Sequence, residues 1–103
     1  MSIWTTKDLE LRNAIENGNC FKVAQLLHEN NNKMLPIDNN GNTLLHTAIR
    51  HHQVEIAILL IKSGCVHIGH INNSLVTPFQ LAVWSCQWDI VYCLQDNLFL
   101  RNT

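Results

Sequence analysis

Charge is scarce in this sequence, and the shortage removes several functional classes at once. Only 15% of the residues are Asp, Glu, Lys or Arg, against ~25% in an average soluble chain. The seven basic residues stand singly and the formal net charge is −1, so there is no basic footprint for nucleic acid or an anionic lipid surface. A charged disordered tail is excluded as well, because such tails need low hydrophobicity and 47% of this chain is apolar. Long apolar runs are also missing. The longest, Val54 to Ile61, is broken by Glu55 and falls far short of the ~18 residues a membrane span requires. Met1-Ser2-Ile3-Trp4-Thr5-Thr6-Lys7-Asp8 has no basic start followed by an apolar stretch, so no secretory signal is expected.

Cysteine pairing and glycine-rich loops are lacking too. Cys20, Cys65, Cys86 and Cys93 form no C-x-x-C pair. They read as reduced thiols, several packed as small hydrophobes, which points to the cytoplasm or the nucleus. The four glycines are all accounted for by turns, leaving none to cradle a phosphate. No Cys or Ser stands where a base and an orienting group would converge on it. The chain is therefore expected to be no enzyme and to need no cofactor. At 103 residues it is expected to form one domain, 1–103.

What the sequence does have is a repeat. Ala14, Ala48 and Ala82 are spaced 34 residues apart both times, and so are Leu26, Leu60 and Leu94. The same step relates Thr43 to Thr77, Leu45 to Phe79, Val54 to Trp88, Glu55 to Asp89 and Ile56 to Ile90. No insertion is needed, and three units, about 4–37, 38–71 and 72–103, cover the chain. Each unit opens on a polar turn, Asp38-Asn39-Asn40-Gly41-Asn42 in the second and Asn72-Asn73-Ser74-Leu75-Val76 in the third. Thr43 and Thr77 then stand where a hydroxyl can cap a helix, with Pro78 at the first helical position. Thr5-Thr6-Lys7-Asp8 offers a capping-box start in the first unit. A second, aliphatic helix follows in each unit. Gly64 ends the middle one as a left-handed cap, and Asn30, one period earlier, is expected to do the same.

The helix Val54-Glu55-Ile56-Ala57-Ile58-Leu59-Leu60-Ile61 is apolar on nearly every side and must be covered on every side. One helix pair cannot supply that cover, but a copy on each flank can. The units are thus expected to stack into an all-α helix-turn-helix solenoid with hairpin-like turn tips, stabilised by its units and their interfaces.

Thr77-Pro78-Phe79-Gln80-Leu81-Ala82 and Thr43-Leu44-Leu45-His46-Thr47-Ala48 resemble the T-P-L-H-x-A signature of the ankyrin repeat, and Asp38 to Thr43 resembles its turn lead-in. Gly18 to Leu27 is similar to a degenerate opening repeat. The departures are Leu44 for the signature Pro, Gln80 for its His, Leu75 for the turn glycine, and His52 and Cys86 for the glycine between the helices. If those last three sites keep a left-handed backbone, each non-glycine residue costs ~1 kcal/mol.

The resemblance implies a binding module whose concave face, made of turn tips and the exposed side of the first helices, meets a partner protein. Carried over by position, that face comprises Asn39, Asn40, Asn42, Arg50 and His51, then Asn73, Ser74, Val76, Trp84 and Ser85. Trp84 stands out. It lies beyond the Phe79–Ala82–Val83 core stripe, and Trp is the residue type most enriched among binding hot spots. At the C-terminal end Trp88, Tyr92, Leu98, Phe99 and Leu100 leave an apolar face with no following repeat, expected to dock onto another chain or a second copy. Within this class the protein is either an adaptor or inhibitor that covers a partner's surface, or a structural subunit of a complex. Low charge and hydrophobic surface favour the second. The alternative from another class is a metal- or redox-responsive switch at Cys65, His67 and His70, with three potential ligands within six residues. His46, inside the signature, is expected to make a backbone or Thr hydrogen bond.

Overall fold

The structure is a computed structural model that describes residues 4–31 and 33–101, with the side chains of 98–101 outside the description. Among the described residues there are six helices and no strand: α1 (Thr6–Glu16), α2 (Cys20–Glu29), α3 (Leu44–Arg50), α4 (Val54–Ser63), α5 (Pro78–Trp84) and α6 (Trp88–Arg101). They pack as the antiparallel pairs α1/α2, α3/α4 and α5/α6. The first helices α1, α3 and α5 form one layer, and α2, α4 and α6 form the other.

The core follows the 34-residue register. Ala14, Ala48 and Ala82 are all buried in the first layer, where a methyl side chain lets adjacent helices approach. Leu26, Leu60 and Leu94, with Ile56 and Ile90, fill the second layer. Side chains such as Leu60 and Ile56 are almost wholly shielded only because α4 is flanked by α2 and α6. Burial of each contributes about 2–3 kcal/mol. The apolar middle helix thus has its cover on both sides.

Local signals start and stop the helices. Thr5, Thr43 and Thr77 are the N-caps of α1, α3 and α5. Each closes a capping box, with Asp8, His46 and Gln80 as the third-position partner, and Pro78 sits in the first turn of α5. Asn19 caps α2 by accepting from the Lys22 amide. Gly64 ends α4 in the left-handed conformation, φ 71. The expectation for Asn30 needs correcting. Asn30 is right-handed at φ −74, and the left-handed residue is Asn31, φ 54. Asparagine tolerates that conformation because its short polar side chain bonds locally, so within the run Asn30-Asn31-Asn32 the cap shifts by one residue.

Three non-glycine residues adopt the left-handed conformation at the non-consensus sites: His52 (φ 55), Leu75 (φ 64) and Cys86 (φ 58). Their register equivalents Gly18 and Gly41 are left-handed as well. At Gly41 there is a second constraint, since a Cβ there would lie 2.8 Å from Asn73 Oδ1 and 2.9 Å from the Asn73 amide. Leu75 has no tip pressed against it and stands 79% exposed. Relief of the left-handed strain by glycine, about 1–2 kcal/mol per site, exceeds the added unfolded-state freedom of about 0.4–1. The triple variant His52→Gly/Leu75→Gly/Cys86→Gly is therefore expected to gain about 2 kcal/mol and melt roughly 10 °C higher. A thermal scan that shows no gain would mean the side chains at these sites make compensating contacts.

Candidate functional site

The two turn tips are built alike, one register apart. In the first, Asp38 Oδ1 accepts from the amides of Asn40 and Asn42, both at 2.9 Å, and the Asp38 amide donates to Asn42 O at 3.0 Å. In the second, Asn72 Oδ1 accepts from the amides of Ser74 and Val76 at 2.9 and 3.0 Å, and the Asn72 amide donates to Val76 O at 3.0 Å. Asp and Asn suit this place because the side-chain oxygen mimics a turn carbonyl.

The tips are then bonded to each other. The Asn73 amide donates to Asn40 O at 2.9 Å. Asn73 Nδ2 donates to Asn39 O at 3.1 Å, and Asn72 Nδ2 to Asn42 Oδ1 at 2.8 Å. Beneath them His46 joins the repeats. The Thr43 amide donates to His46 Nδ1 at 3.0 Å, which leaves the ring proton on Nε2, and Nε2 donates to Val76 O at 2.9 Å. The ring is fully buried, and burial is the main cause that holds its pKa below the ordinary value. His70 pushes it the same way, while the Val76 bond and Asp38 push it up. At the other end of the first helices, buried Gln87 spans the same interface by donating to Ile49 O at 2.8 Å. Many of the thirteen asparagines thus act as turn, cap and tip-joining residues.

The last residues of the first helices share one register position: Glu16 in α1, Arg50 in α3 and Trp84 in α5. Glu16 is approached at 3.8 Å by Arg12 on its own helix and at 3.8 Å by His51. Trp84 is 65% exposed. Between the tips and this row lies an open groove of about 310 Å³ lined by Asn40, Arg50, Asn73, Ser74, Val76 and Trp84, among others. A smaller hollow continues it past Trp4, Leu9 and Arg12, where the Arg12 guanidinium sits 5.7 Å from the centre of the Trp4 ring.

The residues singled out from sequence fall into three groups. Asn39, Asn40, Arg50, His51, Asn73, Ser74 and Trp84 are exposed. Val76 and Ser85 are half-buried. Val76 has its carbonyl held by His46, and Ser85 Oγ donates to Leu81 O at 2.7 Å. Asn42 is a correction. It is not an exposed tip residue: it is 8% exposed and tied to Asn72, so its side chain joins the tips while still lining the groove. Sequence reasoning missed Leu75 and Leu9 as exposed apolar neighbours of the face. The Leu-for-Gly departure at 75 was the available signal, while Leu9 gave none.

At the C-terminal end Trp88 and Tyr92, four residues apart on α6, are both exposed. Leu98, Phe99 and Leu100 continue α6, but their side chains lie outside the described residues. Of the metal- or redox-responsive switch, the metal half is not supported, since no group of three His, Cys, Asp or Glu side chains that could hold a metal ion forms among the described residues. Cys65 is buried with its thiol toward Ser63 O at 3.6 Å. His67 is exposed, and its ring centre is 6.2 Å from that of His70.

Paired helices, bonded tips and an open face between them define a helical-repeat solenoid of the binding class. A family model described as ankyrin repeats, three copies, matches residues 11–99. The chain belongs to the ankyrin repeat family. Ankyrin repeats are generally protein–protein interaction modules and typically non-catalytic. No helix among the described residues is long and apolar enough to cross a membrane.

Proposed function

We propose that this protein is a partner-binding adaptor or regulatory module that acts in the cytoplasm or nucleus and uses the face between its tips and its first helices. The observation that carries this is Trp84, a large aromatic ring held outward at the rim of an open polar groove. An exposed indole of this kind supplies contact area at little entropic cost, and the asparagine-rich tips supply adaptable hydrogen bonds around it. The four free thiols accord with a reducing compartment. The test is quantitative capture of partners from native extract by the wild type and by Trp84→Ala, each verified as folded. Loss of the specific partner in the variant is expected, and equal capture by both would contradict the proposal.

The exposed Trp88–Tyr92 pair favours a second role, as a subunit that associates through its last helix. A fourth tip stacked in register would meet Leu75 where the third meets Gly41, so contact there would run through helix side chains. Sedimentation should then show concentration-dependent association that Trp88→Ser/Tyr92→Ser suppresses. A strict monomer at high concentration would exclude it for this chain alone.

A further inference from the structure

We infer that the groove between Arg50 and Trp84 receives an extended protein segment bearing a carboxylate and, about three residues away, an aromatic or aliphatic side chain. This rests on the reading that the concave face binds a partner, and it names the partner's chemistry. Arg50 is exposed and has neither an ion pair nor a side-chain hydrogen bond among the described residues. Its register neighbour Glu16 is not its counter-charge, because that carboxylate is shared between Arg12 and His51. The row therefore leaves one guanidinium unmatched, beside an exposed indole in the same groove.

The tips decide which anion fits. A phosphate needs several donors, but the amides of Gly41, Asn42, Asn73, Ser74 and Val76 are already bonded within and between the tips. Arg50 is left as a single planar fork; its geometry suits carboxylate and phosphate alike, but one guanidinium balances the single charge of a carboxylate and leaves a phosphate dianion half unmatched. The side chains of Asn40 and Ser74 line the groove and carry no hydrogen bond among the described residues. They are placed to meet the backbone of an extended chain. Spacing follows from packing. Adjacent helices lie roughly 8–10 Å apart, and a chain extended in the polyproline II form advances about 3.1 Å per residue with three residues per turn, so groups that face Arg50 and Trp84 from one side of it stand about three residues apart.

The test selects a random dodecapeptide phage library against the full-length chain and against Arg50→Glu and Trp84→Ala, each shown to melt within a few degrees of wild type. Wild type is expected to enrich peptides with Asp or Glu about three residues from Trp, Phe or Leu. Arg50→Glu should instead enrich Lys or Arg at that place and bind the wild-type peptide at least tenfold more weakly. Trp84→Ala should lose the apolar preference and keep the acidic one. Peptides with no charge preference that still depend on Trp84 would overturn this inference and leave the concave face as the binding surface. Peptides indifferent to both substitutions would overturn the inference and count against the concave face. Absence of any enrichment would overturn the inference alone, leaving the face to be judged by native capture.

Discussion

Replacing His46 with alanine is expected to destabilise the fold by about 3 kcal/mol, enough to lower the melting temperature by roughly 15 °C. The imidazole is fully buried and serves two repeats at once. Its Nδ1 accepts the Thr43 amide at 3.0 Å, and its Nε2 donates to Val76 O at 2.9 Å. Alanine would leave a buried amide without an acceptor, an inter-repeat carbonyl without a donor, and a void where the ring had been. Each orphaned buried group costs about 1–3 kcal/mol. A chain of this size has only ~5–15 kcal/mol in total. Gln80 shows the milder replacement, since its Oε1 accepts the Thr77 amide at 3.0 Å in the same register position. His46→Gln should therefore keep the cap and lose less than half as much stability. Urea denaturation of the three proteins at pH 7.5 checks the order wild type, Gln, Ala.

The same ring gives a pH dependence whose sign is fixed. Burial holds the folded His46 below its ordinary pKa, and protonation at Nδ1 would abolish its acceptance from Thr43. A depressed folded pKa means stability is fully present above the unfolded value of about 6.5 and declines as pH falls below it toward the folded value. Between pH 7.5 and 5 the wild type should lose more stability than His46→Gln. Parallel losses would show that the ring accepts a proton without disturbing the repeat junction.

Trp84→Ala is expected to weaken partner binding at least thirtyfold while the melting temperature stays within a few degrees. Truncation of a hot-spot aromatic costs 2 kcal/mol or more, and that corresponds to about thirtyfold in affinity. The fold should not register the change, because the ring is 65% exposed and lies outside the buried core. Isothermal titration with the captured partner, paired with a thermal scan, separates the two effects. Lost binding accompanied by a melting drop of more than ten degrees would move Trp84 from the recognition surface to the fold.

Much of the architecture was legible because the register is uninterrupted. Alanines 34 residues apart, Thr43 and Thr77 ahead of them, and Gly64 behind α4 each fix a local structure by steric or hydrogen-bonding rules that need no neighbours. The prominence of Trp84 was legible for the same reason, since it lies one step beyond the residues α5 must bury. What escaped the sequence depended on the stack itself. Asn42 reads as an exposed tip residue until the next tip covers it. Asn30 and Asn31 are equally able to take the left-handed cap, and their residue type alone does not distinguish them. The unmatched charge of Arg50 was likewise invisible, because it appears only once Arg12 and His51 are seen to converge on Glu16.

The most direct measurement is amide hydrogen exchange of the full chain with and without its captured partner. Slowed exchange is expected at the tips around residues 39–41 and 73–75 and at the ends of α3 and α5 near Arg50 and Trp84, with α2 and α4 unchanged. Protection confined to α2, α4 or α6, with the tips and Trp84 exchanging as in the free protein, would contradict recognition through the concave face.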